Sequence, residues 1–271
     1  MALTMDTKLR TPARTRMNAI LKRLYEGGSV AVADLARDFD VSDMTVRRDL
    51  AELEREGLLE RVHGGARRRA SGPLKVIDDI EPNFDLRVSH NASAKRLIAA
   101  EAADLLAGFR SVAIDVGSTC LFAAEALARR PGQRHVFTNS LRVATSLGAL
   151  GTEVYLPEGR TRPNELSITG PSAIESFSKL HFEVAVIGVS GLSDEGFYDY
   201  SIEDSELKKI YLQRSAQRVF LCDSTKFRRL STIRVAALSE ASVLITDAPP
   251  PSDLASALAG AGVEIRVAEE P

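Results

Sequence analysis

The chain has 271 residues, 44% of them apolar, with no tryptophan and a formal charge of −2. That length suits about two packed domains, and no run approaches the roughly 18 consecutive apolar residues of a membrane helix. The two cysteines, Cys120 and Cys222, are far apart, which argues against a disulfide or zinc framework and for a reducing cytoplasm. Charge is uneven: residues 1–70 carry +3 and residues 71–271 carry −5, so a polyanion is attracted at one end only. The start, Met1-Ala-Leu-Thr-Met-Asp6, has no basic head before an apolar core, so no secretory signal is expected.

Arg16 to Tyr25 places Met17, Ile20, Leu21 and Leu24 at helical spacing, and Glu26-Gly-Gly28 stops it. Val30-Ala-Val32 reads as a short extended piece. Asp34 caps a second helix through Phe39, and Asp40-Val41 turns into a third. In that third helix Ser42 is the N-cap, and Val46, Leu50 and Leu53 form one apolar stripe. Met44 and Arg48 lie nearly opposite the stripe, with Thr45 and Arg47 on its flanks. Paired arginines on the exposed face of a short helix suit the major groove, where Arg bonds guanine edges or phosphates. Taken alone, the same face could be plain solvated charge. Leu58 to Val62 then reads as a strand and Gly64-Gly65 as the tip of a wing, giving a winged helix-turn-helix over residues 10–66. Arg61 and His63 in the wing, and Arg67 and Arg68 after it, are candidates for backbone contact with DNA.

Residues 67–82, with Ser71-Gly-Pro73, read as a linker, and Phe84 to Leu106 as mainly helical. From Ser111 short apolar strands alternate with helices through Val267, which implies a mostly parallel sheet covered on both faces over residues 83–271. Ligands bind such sheets beyond the carboxyl ends of the strands. There stand Asp115-Val-Gly117-Ser118-Thr119, then Thr138-Asn139, Ser190-Gly191, and Asp223-Ser-Thr-Lys226, with Glu203 and Lys208 nearby. Amides and hydroxyls at a helix start can hold a phosphate. Each patch alone is also ordinary strand-to-helix punctuation; together they describe a polar pocket for a small phosphorylated polyol.

The ordered set Val32-x-Asp-Leu-Ala36, Phe39-x-Val-Ser42, Thr45-Val-Arg-Arg-Asp-Leu50, Leu53-Glu54, Gly57 and His63-Gly-Gly-Ala66 resembles the DNA-binding domain of the DeoR family of bacterial transcriptional regulators. Asp115-x-Gly-Ser-Thr119, Thr138-Asn139, Gly170, Gly188-x-Ser-Gly191, Lys208 and Asp223-Ser-Thr-Lys-Phe227 resemble that family's effector domain, which is similar to ribose-5-phosphate isomerase in fold. The resemblance implies a repressor, a homodimer or homotetramer on double-stranded operator DNA, relieved by a sugar or polyol phosphate. It assigns Asp115, Gly117, Ser118 and Thr119 to a phosphate loop. Thr138, Asn139, Ser190, Gly191, Glu203, Lys208 and Lys226 are its pocket or rim. Gly159-Arg160 stands where the family usually has Gly-Gly, so Arg160 could add a cation. Gly188-Val-Ser-Gly-Leu192 and Thr246-Asp-Ala-Pro-Pro-Pro251 point to glycerol 3-phosphate as effector.

An isomerase-like enzyme is the alternative, but no tight acidic cluster follows the strand at Phe182–Gly188. Gly117-Ser-Thr lacks dinucleotide-binding spacing, and His63, His90, His135 and His181 are scattered without ligand spacing. Neither a cofactor nor a metal is expected.

Overall fold

The computed structural model describes residues 13–55, 59–67, 76–78 and 81–269, and the chain divides into two compact units, Met1–Gly72 and Pro73–Pro271. Arg68 and Gly57 lie outside the described residues.

The first unit runs α1 (Ala13–Gly27), β1 (Ser29–Ala31), α2 (Val32–Phe39), α3 (Asp43–Arg55), β2 (Glu60–Val62) and β3 (Gly65–Arg67). The apolar stripes read from the sequence are its core: Ile20, Leu21 and Leu24, Val32 and Leu35, Val46, Leu50 and Leu53 are all buried. Asp40, at φ 52°, turns the chain from α2 into α3. The strands form an antiparallel sheet in the order β1-β3-β2. Gly65 is needed there for space: a Cβ would lie 2.0 Å from the Val30 carbonyl oxygen, inside the ladder.

The second unit opens with β4 (Val76–Asp78), which pairs in parallel with β14 (Arg229–Ser231). The stretch expected as linker therefore contains a strand of this unit. The stretch expected to be mainly helical, Phe84 to Leu106, is two helices, α4 (Phe84–Ser89) and α5 (Ala92–Leu106), and Asn91 adopts a left-handed conformation between them. Then follow β5 (Ser111–Ile114), α6 (Ser118–Ala128), β6 (His135–Thr138), α7 (Leu141–Ala149), β7 (Val154–Tyr155), β8 (Arg160–Arg162), β9 (Ser167–Thr169), α8 (Pro171–Ser178), β10 (Phe182–Gly188), β11 (Gly191–Ser193), β12 (Gly196–Asp199), α9 (Ile202–Arg214), β13 (Ser215–Leu221), β14, β15 (Ile233–Ala236), β16 (Val243–Thr246), α10 (Ser252–Gly260) and β17 (Glu264–Val267).

Seven strands form one sheet in the order β17-β16-β13-β10-β5-β6-β7, with every pairing parallel. Alternation along each strand feeds two cores. Val112, Ile114, Val184, Val186, Val219 and Leu221 pack under α5, α6 and α7. Ala113, Ala185, Ile187, Phe220 and Leu244 pack under α8, α9 and α10. Strand order reverses between β5 and β10: the chain leaves β5 toward β6 and leaves β10 toward β13. The loops beyond those two carboxyl ends part, and a crevice at such a point is where open α/β sheets bind ligands. A β8–β9 hairpin and a small antiparallel sheet, β11-β12-β15, complete the unit.

Candidate functional site

In the first unit the candidate site is α3. The Ser42 hydroxyl accepts from the Thr45 amide at 3.2 Å and meets the Thr45 hydroxyl at 2.9 Å, fixing the helix start. Val46, Asp49, Leu50 and Leu53 face inward. Asp49 is buried against Arg16, whose Nε and Nη2 donate to its two oxygens at 2.5 and 3.0 Å. Donating to Asp49 raises the Arg16 pKa further, keeping this buried guanidinium charged. The Arg-Arg-Asp run is thus split by helical geometry into two outward arginines and one inward carboxylate.

Met44 is 75% exposed, and Arg47 and Arg48 are exposed beside it. Among the described residues neither arginine has a carboxylate partner. The wing differs. Arg61 donates its amide to Glu54 at 3.0 Å with its guanidinium 3.8 Å away, and Arg67 pairs twice with Glu60, at 3.1 and 3.0 Å. These surface pairs are worth little, so phosphate can displace them. His63 is exposed at the wing turn.

In the second unit the carboxyl ends of β5 and β10, where the strand order predicts a crevice, hold a polar interior. Gly117, at φ 105°, begins α6 in a conformation that L side chains rarely adopt, and nothing lies within 4 Å of where a side chain would start. Asp115, Ser118 and Thr119 around it are buried, and the Thr119 hydroxyl and Asp115 Oδ1 have no hydrogen-bond partner. Lys208 of α9 binds Asp115 Oδ2 directly and reaches the Gly188 carbonyl and Asp199, both at 3.0 Å, while the Gly188 amide donates to Asp115 at 3.0 Å. Burial pushes the Asp115 carboxyl up to about 7 against the pull of Lys208. Despite its own burial, Lys208 is held charged, well above the usual lysine range, by Asp115 and Asp199.

Lys226 donates to the Val189 carbonyl at 2.7 Å and lies 3.5 Å from Asp223. Asp223 also accepts from Asn91 at 3.2 Å and from the Thr225 hydroxyl. Burial opposes its charge, yet Lys226, Thr225 and Lys95 hold it below the usual carboxylate range. Lys95 is 3% exposed and, among the described residues, bonds two backbone carbonyls, those of Arg87 and of His90, the latter at 2.8 Å. Burial first, then Lys226, lowers its pKa to about 7. Beside it Arg87 pairs with Glu165 and, at 3.3 Å, with Glu81, while Arg162 meets Glu81 at 2.8 Å and Asp204 at 2.5 Å.

Of the residues expected in the pocket, Asp115, Gly117, Ser118, Thr119, Lys208 and Lys226 gather at the crevice. Others are engaged with their own neighbours. Asn139 donates its amide to Tyr211 Oη and accepts from the same hydroxyl, both at 3.0 Å, and its side-chain nitrogen donates to Ile168. Thr138 accepts from the Ser140 amide, and Ser190 donates to the Tyr198 carbonyl and meets Ser231. Gly191 lets the Arg229 carbonyl approach. Arg160 and Glu203 are exposed and lie 3.6 Å from each other. The sequence reading missed Lys95, Asn91, Arg87, Arg162, Glu165 and Asp204. Lys95 and Arg87 carried no signal beyond being single charges on helices.

A model of the DeoR-like helix-turn-helix domain matches residues 16–71, and one of the DeoR C-terminal sensor domain matches residues 90–248. The chain is similar to the HTH-type transcriptional regulator GolR of Listeria innocua, 30% identical over 94% of this chain and 98% of that protein. It is 26% identical to the glycerol-3-phosphate regulon repressor of Escherichia coli, over 93% and 98% of the two chains. A lactose phosphotransferase system repressor of Staphylococcus epidermidis is 31% identical over 86% and 91%. Among solved structures, ribose 5-phosphate isomerase A from Neisseria gonorrhoeae matches 49% of this chain and 52% of its own at 18% identity and a TM-score of 0.38, too low to bear on fold or function. With a sensor-domain model spanning more than half its length and a reading helix of the matching kind, the chain belongs to the DeoR family of helix-turn-helix transcriptional regulators.

Proposed function

We propose that this protein is a repressor that grips operator DNA through α3 and lets go when a phosphorylated polyol or sugar occupies the crevice of the second unit. The observation that carries the reading is the pair Arg47 and Arg48, exposed and without a carboxylate partner on a helix whose opposite face is core. Two copies would read the two halves of a palindrome. Glycerol 3-phosphate is the first effector to try: the crevice offers the α6 amino terminus and Lys95 and Lys226 to a phosphate. A regulatory rather than catalytic role is supported by Asp115, the carboxylate at the sheet end. It is tied to Lys208 and the Gly188 amide, a poor arrangement for a mobile base.

The test is fluorescence anisotropy of duplex DNA from upstream of the protein's own gene, titrated with and without phosphorylated polyols. A coupling of about 1–3 kcal/mol predicts a roughly 5–150-fold loss of DNA affinity with the effector present. Unchanged affinity across a panel of phosphorylated polyols and sugars overturns the effector assignment. Failure to bind the DNA at low salt overturns the reading-helix assignment.

A further inference from the structure

Among the described residues, buried carboxylate and hydroxyl oxygens without a hydrogen-bond partner concentrate at one end of the second unit. All but that of Ser215 lie at the carboxyl ends of sheet strands or on the hairpin and helix set against them. Native proteins rarely leave such atoms unpaired, so a cluster of them calls for a donor. Three of the residues stand together. Ser167, fully buried, is directly opposite Arg162 in the β8–β9 ladder, so both side chains leave the same face of the hairpin. Arg162 pairs with Oδ2 of Asp204 at 2.5 Å, and Asp204, 1% exposed, keeps Oδ1 without a partner. Glu165, between the two strands, is 2% exposed with Oε1 unpartnered.

One residue links this acceptor group to the cations. Arg87 joins them: its carbonyl accepts from Lys95 and its guanidinium pairs with Glu165. Asp204 and Glu165 are each already matched by one guanidinium, of Arg162 and Arg87, whereas Lys95 and Lys226 outnumber Asp223, so a phosphate is drawn to the lysine end. A hydroxyl, which is a donor, is what Asp204, Glu165 and Ser167 accept. Taking the effector reading above as given, we propose that the ligand lies in one orientation. Its phosphate faces Lys95 and Lys226, and its hydroxyl-bearing carbons face Ser167, Asp204 and Glu165, which select for a polyhydroxylated chain.

Calorimetry on the full-length protein tests this with phosphorylated polyols of three to six carbons, glycerol 3-phosphate included, each against the unsubstituted alkyl phosphate of equal length. Wild type should prefer the best hydroxylated ligand by about 10–100-fold, the value of a hydrogen bond to a charged acceptor. Ser167→Ala and Asp204→Asn should each reduce that preference several-fold while leaving the alkyl phosphate unchanged. Lys226→Met should weaken both members of the pair alike. A preference that survives both acceptor variants, or alkyl phosphates that weaken as much, overturns the orientation while leaving the effector site standing. No binding by any phosphate to wild type sinks the effector reading and the orientation with it. Ser167→Ala removes only an unpartnered hydroxyl, so it decides the matter if Asp204→Asn fails to fold.

Discussion

Arg48 and Asp49 are adjacent in α3, but Arg48 is exposed and Asp49 is buried, so truncating each to alanine should separate reading from folding. Asp49 is 4% exposed and takes two hydrogen bonds from Arg16, itself 6% exposed. Removing one partner of a buried pair strands the other charge and costs about 3–5 kcal/mol. A domain the size of Met1–Gly72 has roughly 4–11 kcal/mol in hand, so Asp49→Ala should consume much of it and lower that unit's melting temperature by more than about 10 °C. Arg48 is exposed and makes no hydrogen bond or ion pair among the described residues, so Arg48→Ala should move stability by less than about 0.5 kcal/mol. Its cost falls on DNA: about 1–3 kcal/mol if the guanidinium reads a guanine, or a salt-dependence slope smaller by about 0.9 if it neutralises a phosphate. Circular dichroism melts supply the first measurement, since the chain has no tryptophan. Anisotropy titrations over a range of salt supply the second. An Asp49→Ala protein that melts like wild type would refute the packing argument, and Arg47→Ala and Arg48→Ala proteins with unchanged affinity and slope would refute the reading helix.

Gly65→Ala should open the wing, because the new Cβ would sit 2.0 Å from the Val30 carbonyl oxygen; the amides of β1 and β3 should then lose hydrogen-exchange protection, and retained protection would contradict the fold. Lys95 gives a pH signature of two opposite signs. Its folded pKa, lowered to about 7, lies below its unfolded value, so the folded state binds fewer protons above pH 7. Stability of the second unit should therefore rise from pH 7 toward 10, while affinity for a phosphorylated ligand should fall as the ammonium is lost. Lys95→Met should flatten both trends, and a wild type without either would exclude Lys95 from the site.

The reading helix was legible because three independent local signals agree at α3: the Ser42 cap, the stripe at Val46, Leu50 and Leu53, and the outward arginines. The parallel sheet was legible because its strands are continuous apolar runs. What stayed hidden depends on pairing across long separations. Arg160-Thr-Arg162 and Ser167-Ile-Thr169 are three-residue polar strands that are extended only because they pair with each other. Val76–Asp78 is a strand only because Arg229–Ser231 lies beside it. The pocket was half legible for a similar reason. A polar residue at a strand end has the same composition whether its side chain is left without a partner, as that of Thr119 is, or is hydrogen-bonded within the fold, as Asn139 is to Tyr211. Lys95 escaped notice because a single lysine on an amphipathic helix reads as solvated.

The strand order of the second unit has a consequence for synthesis. Val112 of β5 needs Val184 of β10 as its neighbour, about seventy residues later, whereas the reading head uses contacts within its own short span. At roughly 5–20 residues per second, the ribosome exposes the head and then takes several more seconds to deliver the middle of the sheet. Sequence-distant pairings of this kind also form slowly. Each newly made chain thus passes through an interval in which it owns a finished grip and no sense organ, deaf to any metabolite until its central strand arrives.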